Sequence, residues 1–428
     1  MRPADLIRQE KKDEIMERMM KKMGKKEKQS AIWISSLYFL YGAACCFLYY
    51  HMCLPAKGRY HSDLPAHIQS GMNGEAYSLL EILYKYICKA GIGSKVIPLL
   101  LTGLTLAAVY LSYKLMQQIV PDGNPLVLQL LAFAANLEMP LYLPFLHKYR
   151  NMGLQTGSMW HNDTYLGMRV FGLIVLILYF RHQESYKETW KGRQWIAFAA
   201  AFFLANFMKP NFLLCFAPVM GILLLRDLIK SRGRDFGAIF WFGLAVIPSL
   251  SILIFQSIRL FGEGTNGGSI ALSFAYILRL RNEHPICSVL QSAAFPFAVL
   301  AFQWRELKKD RIYATSWMIW LCGFLEFLFL NQTGECQNDG NLTWGYSFCL
   351  TLIFAVSAAV LYRSFLRERR EQTSCRPKAM QEGCADAKRS DARQMQAGTL
   401  ICTGLLIWHL LCGLRFFAEL LCGLPYAR

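Results

Sequence analysis

The sequence predicts an all-α, polytopic transmembrane protein. Three features carry that expectation: an apolar composition, repeated apolar stretches of spanning length, and basic residues that alternate with those stretches. Of 428 residues, 54% are hydrophobic and 14% aromatic, which excludes a disordered or fibrous chain and is high for soluble domains. A helix needs roughly 20 mostly apolar residues to cross the hydrocarbon core, and the sequence offers about eleven such stretches. The first is Ala31 to Leu54; the others begin near Val96, Pro125, Asp163, Trp195, Asn211, Gly237, Ile286, Ile312, Gly345 and Ala397.

A net charge of +17 raises the question of nucleic acid, but the basic residues follow the membrane instead. With the N-terminus placed inside, residues 1–29, 181–193, 226–234, 305–311 and 363–393 share one side, and they hold about two thirds of the 46 Lys and Arg residues. This bias predicts the N-terminus in the cytoplasm, the C-terminus outside, and no nucleic-acid partner. Four parts follow: a cytoplasmic basic tail (1–29), a transmembrane core (30–362), a cytoplasmic charged linker (363–396) and a C-terminal span (397–428). The tail mixes Lys and Glu as a solvated or surface helix would, and no small-residue cleavage site follows the first apolar stretch, so that stretch reads as a retained span.

Several chemistries lack their signals. Most of the 14 cysteines lie inside apolar stretches, where a thiol behaves as a small apolar group, and no CxxC pair or zinc spacing occurs. No phosphate-binding GxxxxGK[ST] loop is present and no GxGxxG turn follows a strand, which removes the usual signs of nucleotide-driven transport and dinucleotide chemistry.

The unusual polar residues gather on the side opposite the basic loops. The first outer segment, 55–95, contains His61-Ser62-Asp63-Leu64-Pro65-Ala66-His67. Ser62 or Asp63 suits a helix cap and Pro65 a helix start, which sets Asp63 and His67 about one turn apart. A carboxylate and an imidazole on one helical face can share a proton or a metal ion, although the spacing fits an ordinary cap and a surface histidine better. From Tyr77 to Lys89, Leu79, Leu80, Leu83 and Ile87 form an apolar face and Glu81, Lys85 and Lys89 a charged one, as in a helix lying in the interface.

A second outer loop carries Trp160-His161-Asn162-Asp163-Thr164 into the fourth span, bringing indole, imidazole, amide and carboxylate to a helix N-terminus. Trp160 fits a membrane-belt anchor equally well, and Asn162 or Asp163 a cap. Arg169, inside that span, requires a partner or a wet cavity. The fifth and sixth spans are short, and their shared tip, Met208-Lys209-Pro210-Asn211, is expected below the membrane surface in a protein-lined cavity. The competing expectation is that Lys209 snorkels outward.

Gly262 to Gly268 forms a glycine-rich outer loop, followed by Arg279, Arg281, Glu283 and His284. The last outer loop, Asn331 to Gly345, holds Glu335, Asp339, Asn341 and Trp344 and no basic residue. Amides, acids and an aromatic face commonly hold carbohydrate, and they equally suit a turn. Sequons at Asn331 and Asn341 decide nothing.

This layout resembles the GT-C superfamily of integral-membrane glycosyltransferases. Members have a multi-span helical core, juxtamembrane helices in a long first outer loop, and an acidic catalytic residue soon after the first span. Asp63 matches that acidic position. The elements Trp160 to Thr164, Lys209 to Asn211 and Asp339 to Gly345 look like those of uncharacterised bacterial members. The Asp-Asp or Asp-Glu pair of better-known branches is absent, because Asp63 is followed by Leu64, and a requirement for a divalent metal is left open.

The resemblance implies transfer of a sugar from a polyprenyl-phosphate carrier to a glycan or other hydroxyl acceptor at the outer face of a bacterial plasma membrane. Asp63 would be the general base, and Lys209 and Arg169 would meet the departing lipid phosphate. His67, Trp160, His161, Asn162, Asp163, Asn211, Glu335, Asp339, Asn341 and Trp344 would bind substrate. One outward-facing cavity should then collect Asp63, His161, Lys209 and Asp339. The rival class is a secondary transporter or flippase, which would use intramembrane charges such as Glu138, Glu326, Arg415 and Glu419. A polymerase or ligase of lipid-linked glycans shares the donor chemistry.

Overall fold

Apolar sequence of spanning length must satisfy its backbone internally, and helices do this without help from neighbours. The computed structural model describes the chain except residues 1–2, 55–58, 159, 184–191, 263–267, 376–384 and 427–428. Most of the glycine-rich outer loop and the Pro377 to Cys384 part of the charged linker therefore lie outside the described residues. Among the described residues, eight helical stretches are long and apolar enough to cross a membrane, Phe236–Phe261 counted as one, and a ninth span is formed if the pair Pro285–Ser292 and Ala294–Phe302, bent by 68°, is also counted as one. The chain is thus mostly helical, with the long apolar helices that mark an integral membrane protein.

Two of the eleven expected stretches form shorter helices. The one from Pro125 ends at Asn136 after 12 residues, where the Asn136 amide turns back to bond the Ala132 carbonyl and the Ser112 hydroxyl. The one from Trp195 is the 16-residue helix Arg193–Met208, stopped by the extended backbone of Lys209 before Pro210. The next helix runs from Asn211 to Lys230, longer than its apolar stretch, because its basic last turn continues the same helix.

The helices are, in order, α1 (Pro3–Cys53), α2 (Leu64–Asn73), α3 (Leu79–Lys89), α4 (Gly93–Ile119), α5 (Pro125–Asn136), α6 (Asp163–His182), α7 (Arg193–Met208), α8 (Asn211–Lys230), α9 (Phe236–Leu244) and α10 (Ile247–Phe261). They continue with α11 (Tyr276–Arg281), α12 (Pro285–Ser292), α13 (Ala294–Phe302), α14 (Glu306–Lys309), α15 (Arg311–Phe329), α16 (Trp344–Cys375) and α17 (Ala385–Leu421). Helix α1 passes through the expected boundary at residue 29 and α16 through that at residue 362; helix-forming Lys, Glu and Arg carry each helix on without a proline to stop it. A short antiparallel pair, Ile270–Leu272 with Leu330–Gln332, is the one departure from helix among the described elements, with Ala271 opposite Asn331.

Helix α6 is buried along most of its length, and α16 is buried just as deeply, so these two form the centre of the bundle. Close approach depends on small residues: a side chain at Gly172 would press on Phe212 and Phe348, and one at Gly167 on Met208. Around them stacks an aromatic core that includes Phe198, Phe202, Phe212 and Phe216. Polar bonds pin the outer helices, such as Tyr49 to Thr105 at 2.8 Å between α1 and α4. Described parts of three basic segments meet at one end, around Arg181, Lys309 and Arg363, where Arg363 binds Glu306 at 2.8 Å and Asp310 at 2.5 Å, and Arg367 binds Glu306 at 3.0 Å. At the other end the short helix α3 lies against α4 and α6, and α2 packs on α3 and α1.

Candidate functional site

The site is built where the segment leading into α2 meets the loop entering α6. The Asp63 backbone N–H donates to the His161 carbonyl at 3.1 Å, which fixes the two loops together. Asp63 stands at the N-cap of α2, yet its side chain makes no capping bond. The expected helix cap is corrected here: the carboxylate turns away from its own helix, and its Oδ2 accepts from the Asn162 amide at 2.8 Å and lies 3.9 Å from His161 Nε2. The Asp63 side chain remains 44% exposed, while His161 beside it is 9% exposed. Burial pushes the Asp63 carboxyl upward, but His161, the Asn162 hydrogen bond, His67 and Lys209 outweigh it and hold it below the ordinary carboxylate value.

Asn162 is the hub. Its side-chain oxygen caps α6 by accepting from the Tyr165 N–H at 2.9 Å, and it also takes the Thr164 hydroxyl at 3.0 Å and the Lys209 ammonium at 3.4 Å. Lys209 donates to Thr164 Oγ1 at 3.1 Å and sits 5.0 Å from the centre of the Trp344 ring. It does not snorkel. The residue is only 5% exposed, because the break between α7 and α8 turns its ammonium inward.

Behind Asp63 lies a second, buried chain of ionisable groups. His67 presents Nδ1 to Glu81 Oε1 at 2.7 Å and Nε2 to Asp163 Oδ1 at 3.6 Å. Tyr84 donates to the other Asp163 oxygen at 2.6 Å. The remaining Glu81 oxygen accepts from the Tyr77 and Ser78 N–H groups in a reciprocal capping box that starts α3. The expectation that Glu81 belongs to a solvated charged face is therefore overturned: its side chain is fully buried, and α3 turns this carboxylate toward α2. Burial lowers the proton affinity of His67, but Asp163 and the Glu81 hydrogen bond raise it more, so the imidazole gains a proton more readily than an ordinary histidine. His161 behaves in the opposite way, since burial, only partly offset by Asp63 and reinforced by Lys209 and Arg281, brings it down to about 4.

No group of three or more His, Cys, Asp or Glu side chains is arranged to hold a metal among the described residues. The nearest approach explains itself: Glu81 and Asp163 occupy opposite ring nitrogens of His67, so the three stand in a row and not around a point.

The geometry thus brings together Asp63, His67, His161, Asn162, Asp163, Lys209 and Trp344. The other residues singled out in the sequence lie elsewhere. Trp160 donates to Tyr41 at 3.2 Å and packs against Phe417, which makes it an anchor between α1 and α17. Arg169 is about 9 Å further along α6, with its guanidinium on the Gly157 carbonyl and the Asn136 side chain at 2.9 and 2.5 Å. Asn211 bonds Glu326 and the Asn341 carbonyl, both at 3.1 Å, tying the loop between α15 and α16 to the start of α8. Glu335, Asp339 and Asn341 are exposed on that loop. The expected single open cavity is also partly filled: the Tyr426 ring lies 3.6 Å from that of His161, held there by bonds from Tyr60 and Arg59 to the turn after α17.

Sequence reasoning did not assign a site role to Glu81, Tyr84, Thr164 or Tyr426. The spacing Ser78-x-x-Glu81 signals the capping box and so places Glu81 at a helix start. Nothing local marks Tyr84 or Tyr426, which reach the site from 79 residues before Asp163 and from the far end of the chain. Comparison with family models, with curated proteins and with solved structures returned no match.

Proposed function

We propose that this protein is a GT-C-like membrane glycosyltransferase that moves a sugar from a polyprenyl-phosphate carrier to a hydroxyl acceptor at the membrane face bearing Asp63. One observation supports the reading above the others: a half-exposed carboxylate, released from helix capping, is oriented by a buried amide that also binds a buried lysine. Preorganised in this way, Asp63 is held ionised and aimed outward, as a general base requires.

In the proposed reaction the acceptor hydroxyl gives its proton to Asp63, and its oxygen bonds to the anomeric carbon with inversion. The bond from that carbon to the phosphate oxygen breaks, and the electron pair leaves with the lipid phosphate. Lys209, stacked on Trp344, supplies positive charge on the inner side of Asn162. Arg169 is assigned a positioning role, because its guanidinium already holds the loop carbonyl of Gly157. The orientation assumed is that of the basic-residue bias, with Asp63 outside a bacterial plasma membrane.

A transporter or flippase gains one point from the span broken between Ser292 and Ala294. Against it, Glu138 binds the Gly157 N–H, Glu326 binds Asn211, and Glu419 is shared by Arg150 and Arg415, so each expected intramembrane charge has a fixed partner. The deciding experiment incubates purified protein with a polyprenyl-phosphate sugar and candidate acceptors. Sugar transfer that is lost in Asp63→Asn supports the transferase. Movement of the carrier across a vesicle without turnover would replace it with transport.

A further inference from the structure

At the end of the bundle opposite Asp63, a polar crevice of about 340 Å³ opens where the end of α6 meets α14, the start of α15 and α16. Five cations line it, Arg181, Lys309, Arg311, Arg363 and Arg367, against two carboxylates, Glu306 and Asp310. Both carboxylates are already engaged by Arg363 and Arg367. Counting those lining residues, five positive against two negative charges leaves an excess of three. Such convergence raises the local potential and favours an anion in the crevice.

The position narrows the kind of anion. Phe180 and Ile312 share the lining with the charged groups, and they belong to α6 and α15, two membrane-spanning helices. A second crevice shares Gln183 and Arg311 with the first and continues as a largely apolar slot past Leu223, Phe242 and Met318. A cationic pocket that passes into an apolar slot at the membrane boundary matches an amphiphile with a phosphate head and a hydrocarbon chain. A free phosphate ion would satisfy only the first half of that arrangement.

We infer that this crevice binds the headgroup phosphate of an anionic membrane phospholipid, with Arg181 and Lys309 beside the phosphate and an acyl chain entering beside Phe242 and Met318. Basic pockets between spans hold anionic headgroups by the same electrostatics. The inference is independent of the transferase reading. The ion pairs of Arg363 and Arg367 with Glu306 and Asp310 build the wall, and Arg181 and Lys309 supply the attraction.

The test uses the full chain reconstituted in nanodiscs of phosphatidylcholine and phosphatidylglycerol, with retained lipid counted by native mass spectrometry after extraction. The wild type should retain phosphatidylglycerol in preference to phosphatidylcholine. Arg181→Gln combined with Lys309→Gln should weaken that retention about thirtyfold, whereas Arg181→Lys combined with Lys309→Arg should preserve it. Lys309→Gln alone, at an exposed position, provides the readout if the glutamine pair does not fold. Equal retention of the two lipids, or undiminished phosphatidylglycerol in folded glutamine variants, would overturn the inference. Displacement of the lipid by an equal concentration of inorganic phosphate would also overturn it, by making the crevice a free-anion site.

Discussion

The two sides of Asn162 and Asp163 hold similar groups and put them to different uses. On one side, Asp63 has one oxygen on Asn162 and a side chain that is 44% exposed. On the other, Glu81 and Asp163 are 0% and 2% exposed and spend their oxygens on His67, Tyr84 and the N–H groups that start α3. A buried carboxylate whose oxygens face fixed partners is part of the scaffold. One that is oriented from behind and open in front is available for chemistry. The histidines divide the same way in charge: His67, between two carboxylates, favours the protonated form, and His161, buried beside a lysine and under Tyr426, favours the neutral one.

The sharpest way to break this contrast is to neutralise the open carboxylate. Asp63→Asn should lower sugar transfer by about a hundredfold to ten-thousandfold, while thermal melting shows a loss within about 1 kcal/mol, because no cap is removed. Near wild-type turnover would move the base to another group and cancel the division drawn here. Glu81→Ala is the complementary variant. Removing it leaves His67 facing a vacancy and strips the capping box, so a destabilisation of about 3–5 kcal/mol is expected in denaturation of the purified protein. A loss below about 1 kcal/mol would show that the buried chain is not scaffold.

Lys209→Met keeps the stem of the side chain and removes its charge. It should cost roughly tenfold to a hundredfold in turnover and weaken carrier binding, measured separately by equilibrium binding of the lipid phosphate. If only binding or only turnover moved, the lysine would act on one state of the reaction and not both.

The smallest effects are in pH dependence, and they have opposite signs. His161 is harder to protonate when folded than when unfolded, so its contribution is intact above about pH 6.5 and is lost as the pH falls toward about 4. His67 is easier to protonate when folded, so its contribution is full below about pH 6.5 and is lost as the pH rises through its raised value. Melting temperatures across pH 4 to 8 should therefore show a flatter acid limb in His161→Asn and a flatter alkaline limb in His67→Asn. The same slope in both variants would place the two rings in equivalent surroundings.

Much of the architecture was legible because membrane burial is a one-dimensional constraint. Composition and runs of apolar residues determine that the chain is helical and membrane-spanning, and Pro210 after Lys209 fixes a break that the structure places between α7 and α8. The shortness of α7 was legible from the same break, but the length of α5 was not, because hydropathy alone does not show where Asn136 turns back on its helix.

The candidate site divides along the same line. Local spacing singled out Asp63, His67, Asn162, Asp163 and Lys209 as polar groups at helix ends, because caps and turns depend on near neighbours. Which of them is open depends on partners far away in sequence: Asn162 is 99 residues from Asp63 and 47 from Lys209, and Tyr84 is 79 from Asp163. A helix start sets where a side chain begins, and only the packing of other helices around it decides which oxygens are already bonded. That is why the sequence by itself determined the class of the protein and the residues worth examining, whereas the tertiary structure decided that Glu81 is scaffold, that Trp160 is an anchor, and that Asp63 is left facing outward.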